Sequence, residues 1–273
     1  MMSSASRESY AKAYDKLAAD TSAATAEQLA TIADEILAVA GLLRAQPRLR
    51  RALTDPARTG AARRDLLNSL LSGKISDTAL DVLGTLVTGR WSTPNELLDA
   101  AERLGIEALL SSAGKAGKLE EVEDELFRFG QIVSGNPELA VTLSDPGAST
   151  TRRVKLVEDL LKGKSQAVTL RLTEVALEGF GGRSFESSLT RLVELTAAKR
   201  DREVAYVTVA KPLDESEEER LSAKLSDIYG RQVTLKVDVD PSVIGGISVQ
   251  VGSDLYDGTI LRRLNEARQA FAK

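Results

Sequence analysis

Few residues in this chain could do chemistry, and the gaps in the inventory are informative. It contains no His and no Cys. That excludes His-based triads, thiol nucleophiles, disulfides, haem held by His or Cys, and zinc sites of the usual kind. Asp238 and Asp240 stand two apart at the end of an expected strand and face one side. Such a pair can meet a cation, but no EF-hand spacing surrounds it, so both read as solvated turn residues. Gly179-Phe180-Gly181-Gly182 is glycine-rich. It follows a helix, whereas a phosphate cradle follows a strand, and it reads as an interhelical loop. Asp257-Gly258-Thr259 reads as a turn and helix cap. Neither G-x-x-x-x-G-K-[ST], G-x-S-x-G nor S-x-x-K with its companion motifs occurs. The sequence therefore offers no catalytic, cofactor-binding or metal-binding residue, and an enzyme is not expected.

Charge gives one further candidate. Arg44, Arg48, Arg50, Arg51, Arg58, Arg63 and Arg64 face a single acid, Asp55, within one short stretch. A basic helical patch can bind nucleic acid or an acidic protein. No aromatic residues interleave with these arginines, however. The whole chain also carries 36 Lys and Arg against 40 Asp and Glu, for a net charge of -4. A solvated or protein-binding face is the better reading of Arg44–Arg64. A helical-repeat adaptor using that patch is the alternative function.

The elements that must position these residues follow from length and composition. The chain has 273 residues, 42% of them apolar, which is enough to fold as two or three small domains. Abundant Ala and Leu with only 4% aromatics favour helix. Met1 to Tyr10 has no apolar core, so no secretory signal is expected. The longest strongly apolar stretch, Glu35 to Leu43, is far too short for a membrane span.

The sequence repeats. Ala26–Arg90 laid without a gap on Ala116–Phe180 gives 17 identical pairs, at a constant shift of 90 residues. The matches fall on turn signals: Pro47 on Pro137, Asp55-Pro56 on Asp145-Pro146, Gly73-Lys74 on Gly163-Lys164. One register held through three breaks indicates duplication. Aliphatic positions recur at three- and four-residue spacing, so each copy reads as a helical bundle. The first copy carries the Arg44–Arg64 cluster and the second an acidic run, Glu120–Glu125, so the two are not expected to bind identical sites.

After the second copy the period changes. Val204–Val209 reads as a strand, Asp214–Tyr229 as a helix capped by Ser216 and stopped by Gly230, and Val233–Val239 as a strand. Val243–Val251 reads as another strand, interrupted by Gly245-Gly246, and a last helix is expected from Asp257 through Phe271. The expected class is mainly α: two tandem helical-bundle domains, residues 1–95 and 96–203, then a small β-α-β-β-α module, residues 204–273.

That last module resembles a known family. Val239-Asp240-Pro-Ser-Val-Ile-Gly245-Gly246-Ile-Ser-Val-Gln-Val-Gly252, followed by Asp257-Gly-Thr-Ile-Leu-Arg-Arg-Leu264, is similar to the C-terminal signature of the delta subunit of bacterial F-type ATP synthases, the oligomycin-sensitivity-conferring protein family. Arg7-Glu-Ser-Tyr10-Ala-Lys-Ala-Tyr14 is similar to the family's opening helix. An ordinary member has one helical domain, so the extra copy resembles the enlarged actinobacterial form. The resemblance implies a non-catalytic stator subunit without cofactors, present once per complex. It would link N-terminal segments of the alpha subunits to the b-subunit stalk at the cytoplasmic face of the bacterial membrane, with no membrane insertion and no nucleic acid. The second copy, which adjoins the α/β module, is expected to inherit the alpha contact. Leu17, Ile36, Leu70, Leu126 and Leu160 are possible groove residues, with plain core the better reading.

Overall fold

A computed structural model describes residues 3–145, 147–201, 204–230, 233–240, 243–251 and 254–260. The chain divides into two compact units, Met1–Thr196 and Ala197–Lys273.

The first unit is helical, and its last helix runs past the boundary at Thr196. Its elements are α1 (Ser4–Asp20), α2 (Ala26–Ala45), α3 (Pro47–Thr54), α4 (Gly60–Leu71), α5 (Asp77–Thr88), α6 (Pro94–Lys115), α7 (Leu119–Ser134), α8 (Pro137–Ser144), α9 (Thr150–Leu161), α10 (Ala167–Leu177) and α11 (Phe185–Asp201). The bounds reproduce the sequence repeat: α8 and α9 are α3 and α4 displaced by 90 residues. Local chemistry sets the breaks. Pro47 and Pro137 open their helices at the first turn, where no amide partner is lost. Gly73 and Gly163 take positive φ after α4 and α9, an inexpensive conformation only for glycine.

A carboxylate reaches across each copy to the same place. Glu35 accepts the Ser76 amide at 3.0 Å and its hydroxyl at 2.5 Å, at the start of α5. Its counterpart Glu125 accepts the Gln166 amide at 2.9 Å and the Thr169 hydroxyl at 2.5 Å, at the start of α10. Both satisfy free amides at a helix N-terminus.

Displacing α1 by 90 residues lands on α6, and displacing α6 lands on α11. So α6 is the sixth helix of the first repeat and also the first helix of the second. Serving two bundles, it is buried on nearly all sides, whereas α1 buries one stripe, Ser6, Ser9, Ala13 and Leu17. One continuous core runs from Ala13 to Leu195. The repeats are thus fused through a common helix, and a boundary at residues 95 and 96 falls inside the first turn of α6. Leu17, Ile36 and Leu126 belong to this core, while Leu70 and Leu160 stand at its edge, each 37% exposed.

The second unit contains β1 (Val204–Val209), α12 (Glu215–Tyr229), β2 (Thr234–Val239), β3 (Ile247–Val251) and β4 (Asp254–Asp257). The sheet order is β2-β1-β3-β4. β1 and β2 are parallel, with α12 as the crossover, and the other pairings are antiparallel. Ala205, Val207, Val209, Leu225, Val233, Val249 and Val251 form a separate core.

Three expectations need correction here. The α12 N-cap is Asp214, whose carboxylate accepts the Glu217 amide while Glu217 reaches back to the Asp214 amide, so Ser216 lies inside the helix. β3 begins only after the Gly pair. A short fourth strand, β4, precedes the Asp257 turn. The expected last helix lies beyond Ile260, outside the described residues.

Candidate protein-docking site

Most sequence candidates have a definite place, and many are already engaged within the molecule; the Asp238 side chain lies outside the described residues. Arg63 is buried and donates to four carbonyls, those of Asp55, Val87, Thr88 and Gly89, at 2.9–3.0 Å. It ties the end of α5 to the Asp55 turn. Arg50 donates to the Leu43 and Arg44 carbonyls. Arg64 pairs with Asp81, and Arg58 with Asp55. Arg48 remains exposed. Part of a cluster that looks like a basic patch in sequence is spent on the fold, and nothing described favours the nucleic-acid alternative.

The glycine-rich loop also has an occupant. Gly179 and Gly181 take positive φ, and the Gly181 amide donates to Glu102 Oε2 at 2.8 Å. The anion this loop holds is a protein carboxylate. In the second unit, Gly245-Gly246 and Asp257-Gly258-Thr259 meet in space. The Gly258 amide donates to the Ile247 carbonyl at 2.8 Å and the Ile260 amide to the Gly245 carbonyl at 2.9 Å. Gly246 has φ 88°, and a Cβ there would stand 2.5 Å from the Gly258 carbonyl oxygen. The Asp257 carboxylate accepts the Thr259 amide at 2.9 Å, as an Asx turn does. The segments that carry the family resemblance are therefore backbone architecture. Asp240 continues the turn after β2, its amide donating to the Val209 carbonyl. Among the described residues no three His, Cys, Asp or Glu side chains gather as a metal site.

What remains are helical surfaces, and the internal repeat allows two equivalent ones to be compared. In the first repeat, α1 and α5 flank an open cleft of about 420 Å³ lined by Ala5, Glu8, Ser9, Lys12, Thr85, Thr88, Gly89 and Arg90. The counterparts of Lys12 and Thr88 in the second repeat are Glu102 and Glu178. Between these two sits Arg44, from the end of α2, at 2.6 Å from Glu102 and 2.5 Å from Glu178. Near the middle of α2, Asp34 accepts from Arg171 of α10 at 2.7 Å. The same seat is thus open in the first repeat and closed by α2 in the second.

Electrostatics set the character of the closed seat. Glu102 is 1% exposed. Burial pushes its carboxyl above the usual carboxylate range, against the Gly181 amide and Arg44, which hold it down. Burial likewise pushes Asp99, one turn earlier, upward. For Arg44 burial is outweighed by its two carboxylate partners, and its guanidinium is held more firmly charged. Sequence reasoning missed this junction, since Arg44 and Glu178 lie 134 residues apart.

Comparison with known proteins agrees with this geometry. The family described as ATP synthase delta (OSCP) subunit matches residues 7–104 and 106–271. The two matches meet inside α6, the shared helix. ATP synthase subunit delta of Salinispora arenicola is 62% identical over 273 residues, covering all of both chains. ATP synthase subunit delta of Streptomyces avermitilis is 44% identical over 98% of each chain. A chain of the Toxoplasma gondii mitochondrial ATP synthase hexamer aligns with 62% of this chain and 95% of its own length, at 21% identity and a TM-score of 0.34. With its whole length matched and its helical repeat present twice, this chain belongs to the ATP synthase delta (OSCP) subunit family.

Proposed function

We propose that the chain is a non-catalytic peripheral-stalk subunit of a proton-translocating F-type ATP synthase. It joins the alpha subunits of the catalytic head to the b subunits of the stalk. The head is then held against the rotor's torque, and rotation is coupled to ATP synthesis. The observation that carries this reading is the end-to-end correspondence with chains named ATP synthase subunit delta. A stator needs well-packed protein interfaces on the order of 1,000 Å² each rather than a reactive centre. The fold fits that need: one long shared core stiffens the helical unit, and a separate sheet-based unit offers a second attachment.

We assign the alpha-subunit contact to the first repeat. Its α1/α5 cleft is open, and its mostly polar lining, with Glu8, Lys12 and Arg90, suits a partner segment of complementary charge. The counterpart in the second repeat holds Arg44 instead, which argues against the expectation that the repeat next to the α/β module inherits the contact. The second unit is assigned to the b subunits. The assembly would sit at the cytoplasmic face of the membrane, held by its partners; no described helix is long and apolar enough to cross a membrane.

Deleting residues 204–273 tests the division of roles. Binding to the b subunits should be abolished and binding to the isolated head retained. Retained stalk binding contradicts the assignment.

A further inference from the structure

The docking of α2 onto the second repeat uses Asp34, Leu37 and Arg44, on one stripe of that helix that also carries Ala30 and Gly41. Asp34 and Arg44 make the ion pairs with Arg171, Glu102 and Glu178. Leu37 is buried over Gly105, where a Cβ would lie 2.6 Å from the Leu37 side chain. Displaced by 90 residues, this stripe becomes Glu120, Asp124, Phe127, Gln131 and Ser134 of α7. All five are exposed, and Phe127 is 53% exposed. At the position of Gly105, over which Leu37 packs, the second repeat carries Leu195.

A Phe held more than half in water on a helix face whose twin is an interface is a docking feature, and its neighbours say for what. Asp124 keeps the acid of Asp34, but among the described residues it pairs with the exposed Arg128 at 3.2 Å on the same helix. Glu120 adds a second acid to the stripe. We propose that the outer stripe of α7 docks a basic amphipathic helix of another subunit, with a cation meeting Asp124 as Arg171 meets Asp34, and an apolar pocket receiving Phe127. A second copy of this chain does not fit. Its open seat would set Asp81, the counterpart of Arg171, against Asp124, and α7 brings Ser134 where α2 brings Arg44. Asp81 is already paired with Arg64 and Lys16, so neither ion pair that holds α2 has a counterpart in head-to-tail stacking.

The inference rests on the reading that the chain works inside an ATP synthase, and its test separates the two. The chain has no Cys, so F127C gives a unique thiol for a benzophenone-maleimide probe. The labelled chain is reassembled with complex depleted of its own delta subunit and illuminated. Failure of the unsubstituted chain to assemble refutes the proposed function, whereas assembly without a cross-link refutes the α7 stripe alone. The expected product joins F127C to a Lys- or Arg-rich helix of another subunit. A cross-link within the same chain, to a second copy, or to an acidic segment overturns the proposal. As a second readout, D124R and F127E should each weaken reassembly about tenfold with the helical circular dichroism unchanged. Wild-type affinity in both variants overturns it as well.

Discussion

The Arg44 guanidinium lies 2.6 Å from the Glu102 carboxylate, and through that pair the end of α2 is clamped onto the helix shared by both repeats. Arg44 also holds Glu178, while the Gly181 amide holds the other oxygen of Glu102. Three segments far apart in sequence converge on one buried carboxylate.

Removing the cation should therefore be costly. Arg44→Ala leaves Glu102 buried with one amide partner, and a loss of about 3 kcal/mol is expected. The pH dependence has a definite sign. Burial raises the folded value of Glu102 above 4.5, so its contribution to stability is present below 4.5 and lost as pH rises through that folded value. Arg44 opposes the rise, so the variant should lose more stability with increasing pH than the parent. Melting curves across acidic to neutral pH check this, and a gap in Tm that does not vary with pH contradicts it.

Gly105 is a second sensitive point. A Cβ there would stand 2.6 Å from Leu37 Cγ and 2.7 Å from Leu37 Cδ2, inside a packed core. Gly105→Ala should destabilise by about 1–3 kcal/mol through overpacking, despite its better helix propensity. Pairing it with Leu37→Ala should recover part of that loss, as read by urea denaturation. A stabilised single variant would mean that α2 and α6 can separate freely.

In the second unit, Gly246→Ala meets both a positive φ and the Gly258 carbonyl oxygen at 2.5 Å. The two loops that it joins should come apart, with a loss of more than about 1 kcal/mol. The sharper readout is amide exchange at Gly258 and Ile260, whose hydrogen bonds to Ile247 and Gly245 close this junction. Unchanged protection at both amides would refute the account of the Gly pair.

Acid should loosen the start of α1. Glu96 accepts the Ser6 hydroxyl at 2.5 Å and the Ser3 amide at 3.1 Å, tying α1 to α6. The Ser6 hydroxyl, ahead of the amides, holds its carboxyl below the model-compound value of 4.5. A lowered folded value gives stability that is present above 4.5 and lost as pH falls through the folded value. Glu96→Gln should cost about 1 kcal/mol at neutral pH and flatten the acid limb of the stability curve. An acid limb identical to the parent's would exclude this role.

Much of the architecture was legible because turn residues and helical periodicity are local. Pro47 and Pro137, Gly73 and Gly163, and the paired Asp-Pro turns mark the repeat, and α3 and α4 recur at that spacing. The double role of α6 was not legible. Position by position, α1 and α6 share little sequence, since one buries a single stripe and the other nearly all of its surface. The arginines misled for a related reason: Arg63 and Arg44 find their partners through tertiary contact, and sequence shows only their charge. β4 escaped because Asp254-Leu-Tyr-Asp257 is too short to show alternation, and its strand character comes from pairing with β3. For α12, the three acids after Asp214 disguised which residue was the cap, since both Asp214 and Ser216 can fill that role.

The most direct test uses the chain as bait on gently solubilised membranes. Recovery of alpha, beta and b subunits together, with no ATPase activity in the bait alone, is the predicted result. Recovery of nucleic acid or unrelated proteins in their place, or ATP hydrolysis by the isolated chain, would contradict the stator account.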